Sequence, residues 1–168
     1  IAENQGGKLR YKTIDSCLVF LPMIHGKQLI TVENLADSNS LHPVQQEMVN
    51  YNGSQCGYCT PGIVMSLFGL YKNHHNPSRE VIEDSLTGNL CRCTGYQPII
   101  KAAEHVCLKA DADKFKLHEA KICALLDEVN RDRSPIEIET ATQKYYKPLK
   151  LADALAFRNK FPGALIIS

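Results

Sequence analysis

Four cysteines in two tight pairs constrain this chain more than anything else in it: Cys56-Gly57-Tyr58-Cys59, then Cys91-Arg92-Cys93. Each pair follows a glycine three residues upstream, Gly53 or Gly88, and each is followed at once by a threonine, Thr60 or Thr94. Four soft thiolates delivered in two pairs are what a tetrahedral Cys₄ metal site or an iron–sulfur cluster requires. Any fold this chain adopts has to bring two distant loops together.

Seven cysteines invite a disulfide reading, but the odd count and the short gaps argue against it. Cysteines separated by one residue bridge badly, because a disulfide needs both Cα spacing and side-chain direction. Reduced thiols holding a metal are the better account. At 168 residues the chain has room for one ordinary domain or two small ones. Its 19 basic and 18 acidic side chains nearly cancel, and no basic stripe or acidic tail points to nucleic acid. The apolar runs are short, Cys17 to Ile24 being interrupted by Pro22, so no membrane span and no signal peptide is expected. That pattern favours a cytoplasmic protein. The first residue is Ile1 rather than methionine, so a chain cut from something longer is expected.

The periodicity changes along the chain. Residues 1–35 read as extended, with β-rich alternation over Lys8–Thr13 and Gln28–Val32 and a short apolar strand over Ser16–Phe20. This is too little sheet to stand alone. From Leu41 the pattern is helical. A first helix starts at Pro43, carries Val44, Met48 and Tyr51, and is stopped by Gly53. A second has Thr60 as its cap and Pro61 in its first turn, with Ile63, Leu67, Leu70 and Tyr71 on one face. A third is capped by Asn76 or Ser78 and stops at Gly88; a fourth starts near Pro98. One cysteine pair thus precedes each of two helix N-termini, where free N–H groups and the dipole favour thiolates.

Residues 109–144 are charged, with one amphipathic helix from Leu117 to Asn130 (Ile122, Leu125, Leu126 and Val129 inward), and read as a connector. Tyr145-Tyr146-Lys147-Pro148 then introduces a helix carrying Leu151, Ala154, Leu155 and Phe157. Pro162-Gly163 turns the chain into a strand over residues 164–168.

Spacing alone leaves zinc open, since zinc knuckles also use paired cysteines, although usually with two-residue gaps in both pairs. The surrounding words are more specific. Gly-Ser-Gln-Cys-Gly-Tyr-Cys-Thr-Pro-Gly (53–62) and Gly-Asn-Leu-Cys-Arg-Cys-Thr-Gly-Tyr-Gln-Pro-Ile (88–99) closely resemble the second [2Fe-2S] domain of the xanthine dehydrogenase family of molybdenum hydroxylases. Leu41-His42-Pro43-Val44-Gln45 resembles the first helix of that family, and the likeness covers roughly residues 10–106.

The resemblance implies an α+β fragment, truncated at both ends, in four parts. Residues 1–35 would end a β-grasp, plant-type ferredoxin domain. Residues 36–108 would form an all-α, four-helix [2Fe-2S] domain, 109–144 a linker, and 145–168 the start of an α+β FAD-binding domain. It implies Cys56, Cys59, Cys91 and Cys93 as ligands of one cluster. Cys17 stands where the fourth ligand of the other, plant-type cluster would be, with its three companions outside this chain. Gln55 and Cys93 would face the pterin of a molybdenum cofactor held by a partner domain or subunit. Cys107 and Cys123 match no ligand position and read as packing or surface thiols, while His74 and His75 read as a solvated helix end. His42 reads as a cap or packing residue.

No Ser/His/Asp set, paired-carboxylate site or phosphate-cradling loop appears, so the chain shows no chemistry of its own beyond redox. The implied role is electron transfer from a molybdopterin centre through 2Fe-2S clusters to FAD and NAD. The expected protein is a xanthine dehydrogenase, in a small iron–sulfur/FAD subunit of bacterial type or a single-chain relative. An aldehyde oxidoreductase or other molybdenum hydroxylase is the near alternative, and a non-enzymatic zinc-stabilised helical module the distant one.

Overall fold

The computed structural model describes residues 1–38, 40–108, 113–132 and 134–167. The chain opens with an antiparallel hairpin of β1 (Ala2–Gln5) and β2 (Lys8–Tyr11), with Ala2 opposite Tyr11 and Gln5 opposite Lys8. Its turn is Gly6-Gly7, both left-handed at φ 63° and 85°, the two-residue loop whose twist matches the flanking strands. The expected strand over Ser16–Phe20 does not form. Ser16–Leu18 is a 3₁₀ turn and Leu21–Ile24 another, the second with Pro22 in its first turn. Proline has no N–H to give a ladder, and a short apolar run needs a neighbouring strand to become one. Of the expected extended run after Gln28, only Gln28 itself bridges, exchanging 2.8 and 2.9 Å hydrogen bonds with Ala2.

Four helices follow where the periodicity places them. Helix α1 (Pro43–Asn50) is capped by His42, whose Nδ1 accepts the Val44 N–H at 3.2 Å while its own N–H donates to Gln45 Oε1 at 3.0 Å. It is stopped by Asn52 rather than Gly53: Asn52 is the left-handed residue, at φ 53°, and Gly53 N–H closes back on the Met48 carbonyl at 2.8 Å. Gly53 serves packing instead, because a Cβ there would meet Met48 Sδ at 2.7 Å. Helix α2 (Thr60–Asn73) has Cys59, not Thr60, at its cap position and buries Ile63, Val64, Leu67, Phe68 and Leu70. Ser78 caps α3 (Arg79–Ser85), and α4 (Gln97–Leu108) buries Ile99, Ile100, Ala102, Ala103, Val106 and Cys107. Helix α1 lies along α4, α2 packs against both, and α3 lies against α2 and α4. Their shared apolar faces make the core, with Leu35 closing it from the N-terminal side.

Next comes the expected connector. It contains α5 (Lys114–Leu117) and α6 (Glu119–Val129), and α6 packs across both strands of the hairpin. Glu119 Oε1 accepts the Leu9 N–H at 3.1 Å, Asn4 Nδ2 donates to Asp127 Oδ1 at 2.7 Å, and Asn130 Nδ2 donates to the Gly26 carbonyl at 2.9 Å. The buried face is Cys123 and Leu126, whereas Leu125 and Val129, expected inward, are exposed. The hairpin offers only one narrow surface for the helix to cover. Residues 109–112 and Arg133 of that connector lie outside the described residues.

Beyond it, Ile136–Glu139 (β3) and Lys144–Lys147 (β4) pair as a second hairpin that the charged sequence did not announce. Helix α7 (Leu151–Lys160) follows, and Phe157 stacks on Tyr146 with ring centroids 4.1 Å apart. The expected strand at the end does not form over 164–167, because no described strand lies beside it to pair with; Ser168 lies outside the described residues. The class is α+β, with two two-stranded sheets and seven α-helices among the described residues. No described helix is long and apolar enough to cross a membrane.

Candidate metal centre

Two loops carry the cysteines: 53–59, joining α1 to α2, and 88–96, joining α3 to α4. The fold brings them together and pairs the sulfurs across the loops, not within them. Cys56 Sγ and Cys93 Sγ lie 3.5 Å apart, and Cys59 and Cys91 are near enough across the loops to shift each other's thiol equilibria. Gly57 and Gly95 are left-handed at φ 85° and 65°, with nothing within 4 Å of where a Cβ would stand. Glycine is required there by backbone conformation, and the space beside the sulfurs stays open. Among the described residues no three His, Cys, Asp or Glu side chains converge on a single ion. Two cross-loop pairs suit two irons, each needing two thiolates, better than one tetrahedral ion needing four. The donor set fits a [2Fe-2S] group.

Side-chain hydrogen bonds hold the second loop in place. Ser66 of α2 donates to Asn89 Oδ1 at 2.6 Å. The Tyr96 hydroxyl donates to the Asn89 carbonyl at 3.1 Å and accepts the Cys91 N–H at 2.8 Å. Thr94 Oγ1 accepts the Tyr96 N–H at 3.2 Å and stands 3.1 Å from Cys91 Sγ. Tyr96 adopts φ 66°, a left-handed conformation that costs a bulky residue free energy and is held by these bonds. In the first loop, Ser54 Oγ and Thr60 Oγ1 are 2.6 Å apart.

The sulfurs are not equivalent. The Thr94 hydroxyl, with backbone N–H groups behind it, brings the Cys91 thiol down to about 7. The Tyr58 backbone N–H lowers Cys56. Burial, then donation to Cys91, pushes Cys59 up, and donation to Cys56 pushes Cys93 up. Each cross-loop pair therefore joins one sulfur inclined to be a thiolate with one inclined to keep its proton. Cys56 and Cys93 are exposed, as is Gln55, the residue directly before Cys56. Tyr58 and Leu90, at 95% and 85% exposure, stand fully out from the two loops.

Cys17 sits on an exposed 3₁₀ turn and lines a groove of about 730 Å³ with Pro61 and Met65 of α2. Cys107 and Cys123 are buried. His74 and His75 are exposed at the end of α2. Sequence reasoning passed over Asn89, Thr94 and Tyr96. Thr94 had a signal, its place directly after the pair; Tyr96 had none, since a left-handed site is expected to hold glycine or asparagine.

A second polar cluster, also passed over, lies at the far end of α2. Asp113 accepts hydrogen bonds from Lys72 Nζ at 3.0 and 3.1 Å, from the Lys116 N–H at 2.8 Å, and from His42 Nε2 at 3.1 Å. His42 Nδ1 is occupied as the α1 cap, so Nε2 carries the proton. All three side chains are buried beneath Phe68, Tyr71 and Phe115. Burial alone would push Asp113 up, but His42, the Lys116 amide and Lys72 hold it at about 2.

Against this geometry stand the likenesses to known proteins. The family model described as a [2Fe-2S] binding domain matches residues 31–104, a span containing all four paired cysteines. A xanthine dehydrogenase of Blastobotrys adeninivorans is 52% identical over 102 residues, 60% of this chain and 7% of that protein. Aldehyde oxidase 1 of Oryctolagus cuniculus is 37% identical over 157 residues, 89% of this chain and 12% of that protein. The solved structure of quinoline 2-oxidoreductase from Pseudomonas putida 86 aligns at 31% identity with a TM-score of 0.42, covering 56% of this chain and 52% of that one. The chain spans about a tenth of the length of the curated relatives it matches.

Proposed function

This chain belongs to the molybdenum hydroxylase family, and we propose that it is the electron-transfer portion of such an enzyme. In this reading Cys56, Cys59, Cys91 and Cys93 hold a [2Fe-2S] cluster, and the approach of Cys56 Sγ to Cys93 Sγ across the two loops is the observation that carries it. When bound, such a group takes up and releases single electrons. The chain's own residues do the rest: the thiolates fix its place, Gly57 and Gly95 leave its edge uncovered, and the start of α2 beside Cys59 favours negative charge.

In the whole protein this portion stands between a molybdopterin centre on a partner domain or subunit and an FAD, with NAD as final acceptor. Residues 1–35 and 145–168 belong, in this reading, to a ferredoxin-type and an FAD-binding domain, with Cys17 serving the other cluster. The exposure of Gln55, Cys93, Tyr58 and Leu90 on the two cysteine loops supports a partner surface there. The length of the relatives supports a partner domain of one long chain over a separate subunit. Xanthine is the proposed substrate; the aldehyde oxidase relative supports an aldehyde as the second reading.

Anaerobic reconstitution followed by metal analysis tests the site. About two irons per chain and the visible absorbance of a ferric cluster are expected. Stoichiometric zinc without iron would point to the structural zinc module instead.

A further inference from the structure

We infer that Thr94, locked in direction by Tyr96, donates a hydrogen bond to the Cys91 sulfur and thereby sets the reduction potential of the group the four cysteines hold. The inference rests on the reading of those cysteines as ligands and adds a role for two residues that carry no ligand atom.

Thr94 Oγ1 lies 3.1 Å from Cys91 Sγ. A metal-bound cysteine is a thiolate with no proton, so the hydroxyl must be the donor. Its remaining freedom is removed from the other side: the Tyr96 N–H donates to the same Oγ1 at 3.2 Å, occupying a lone pair and turning the O–H toward the sulfur. Tyr96 can do this only by holding φ 66°. That conformation also returns its phenol over the loop, where it takes the Cys91 N–H at 2.8 Å and gives its proton to Asn89 at 3.1 Å. The two residues close a ring of hydrogen bonds around Cys91, and Asn89 ties the ring to Ser66 of α2.

No other paired cysteine has a hydroxyl donor among the described residues. A donor to sulfur draws charge from the metal and stabilises the reduced state more than the oxidised one, which carries less negative charge. Removing it moves the potential negative. Because the electron added is single, a tenfold change in the reduction equilibrium is about 59 mV.

The test measures iron first and potential second. Thr94→Val in the iron-loaded protein should keep about two irons per chain, while its midpoint, followed by paramagnetic resonance during dithionite titration, falls by roughly tenfold in the equilibrium, ~59 mV. Thr94→Ser should keep the wild-type midpoint. An iron-replete Thr94→Val with the wild-type midpoint overturns the inference. Should that variant lose its iron, the wild type carries the test. Pulsed double resonance after a brief exchange into deuterated water, which labels hydroxyls before the hydrogen-bonded backbone amides, should show a deuteron coupled to the cluster that persists in Thr94→Ser, and its absence overturns the inference. A wild-type protein that takes up no iron overturns the reading of the site, and is recognised before any potential is measured.

Discussion

The two ends of α2 treat polar groups in opposite ways. At its C-terminal end Lys72, Asp113 and His42 are withdrawn from water and bonded to one another, with side-chain exposures of 8%, 2% and 2%. At its N-terminal end the four thiols stand exposed or half-buried, in pairs that only partly satisfy each other. One helix thus carries a finished polar network and an open one. Buried charges must be paired or the fold loses several kcal/mol. Groups meant to receive something must keep coordination capacity free. Completeness at one end marks a structural lock, and incompleteness at the other marks a site.

The sharpest way to break this contrast is to remove one thiol. Cys59→Ser or Cys91→Ser should lower iron from about two per chain to below one after reconstitution, a near-complete loss read by metal analysis. Retention of both irons would show that the N-terminal end is not the open one. Next in size is the lock. Asp113→Asn should leave iron stoichiometry unchanged and lower the unfolding free energy by about 3 kcal/mol in urea titrations, since Lys72 and His42 lose their anion.

The same pair of proteins tests the sign of the pH dependence. The Asp113 carboxyl is held below its ordinary 3.8, at about 2, so its contribution is full above the unfolded value and fades as pH falls through the folded one. The stability gap between wild type and Asp113→Asn should therefore be constant above about pH 5 and shrink toward pH 2.

Smaller effects sharpen the partner side. Gln55→Ala in the assembled protein should keep its iron but weaken cofactor retention by one hydrogen bond, ~0.5–1.5 kcal/mol. Wild-type cofactor occupancy would reduce Gln55 to a loop residue. Cys17→Ser should leave the iron content of this chain unchanged, because that sulfur lies on a separate turn.

Helices α1 to α4 were legible because their signals are local: Pro43 and Pro61 in first turns, Ser78 before an apolar repeat, Gly88 after one. The cysteine pairs were legible for the same reason. The first hairpin carried an equally local mark, Gly6-Gly7, yet β1 went unresolved within a broadly extended reading. Ser16–Phe20 failed the other way, since its apolar residues lacked a strand to pair with. Asp113 was out of reach because its partners His42 and Lys72 lie 71 and 41 residues away, and no periodicity encodes such a meeting. The cross-loop choice of sulfur partners was likewise set by tertiary packing, not by spacing.

The strap of α6 over the first hairpin has a consequence for the order in which the molecule is made. The Leu9 N–H, the Asn4 amide nitrogen and the Gly26 carbonyl take partners at Glu119, Asp127 and Asn130. On the ribosome these acceptors and donors appear more than a hundred residues later, a delay on the order of ten seconds at ordinary synthesis rates. During that interval the helices and both cysteine loops are already available to fold. The contacts of the first hairpin with α6 are therefore completed late, and the cysteine loops can come together before them.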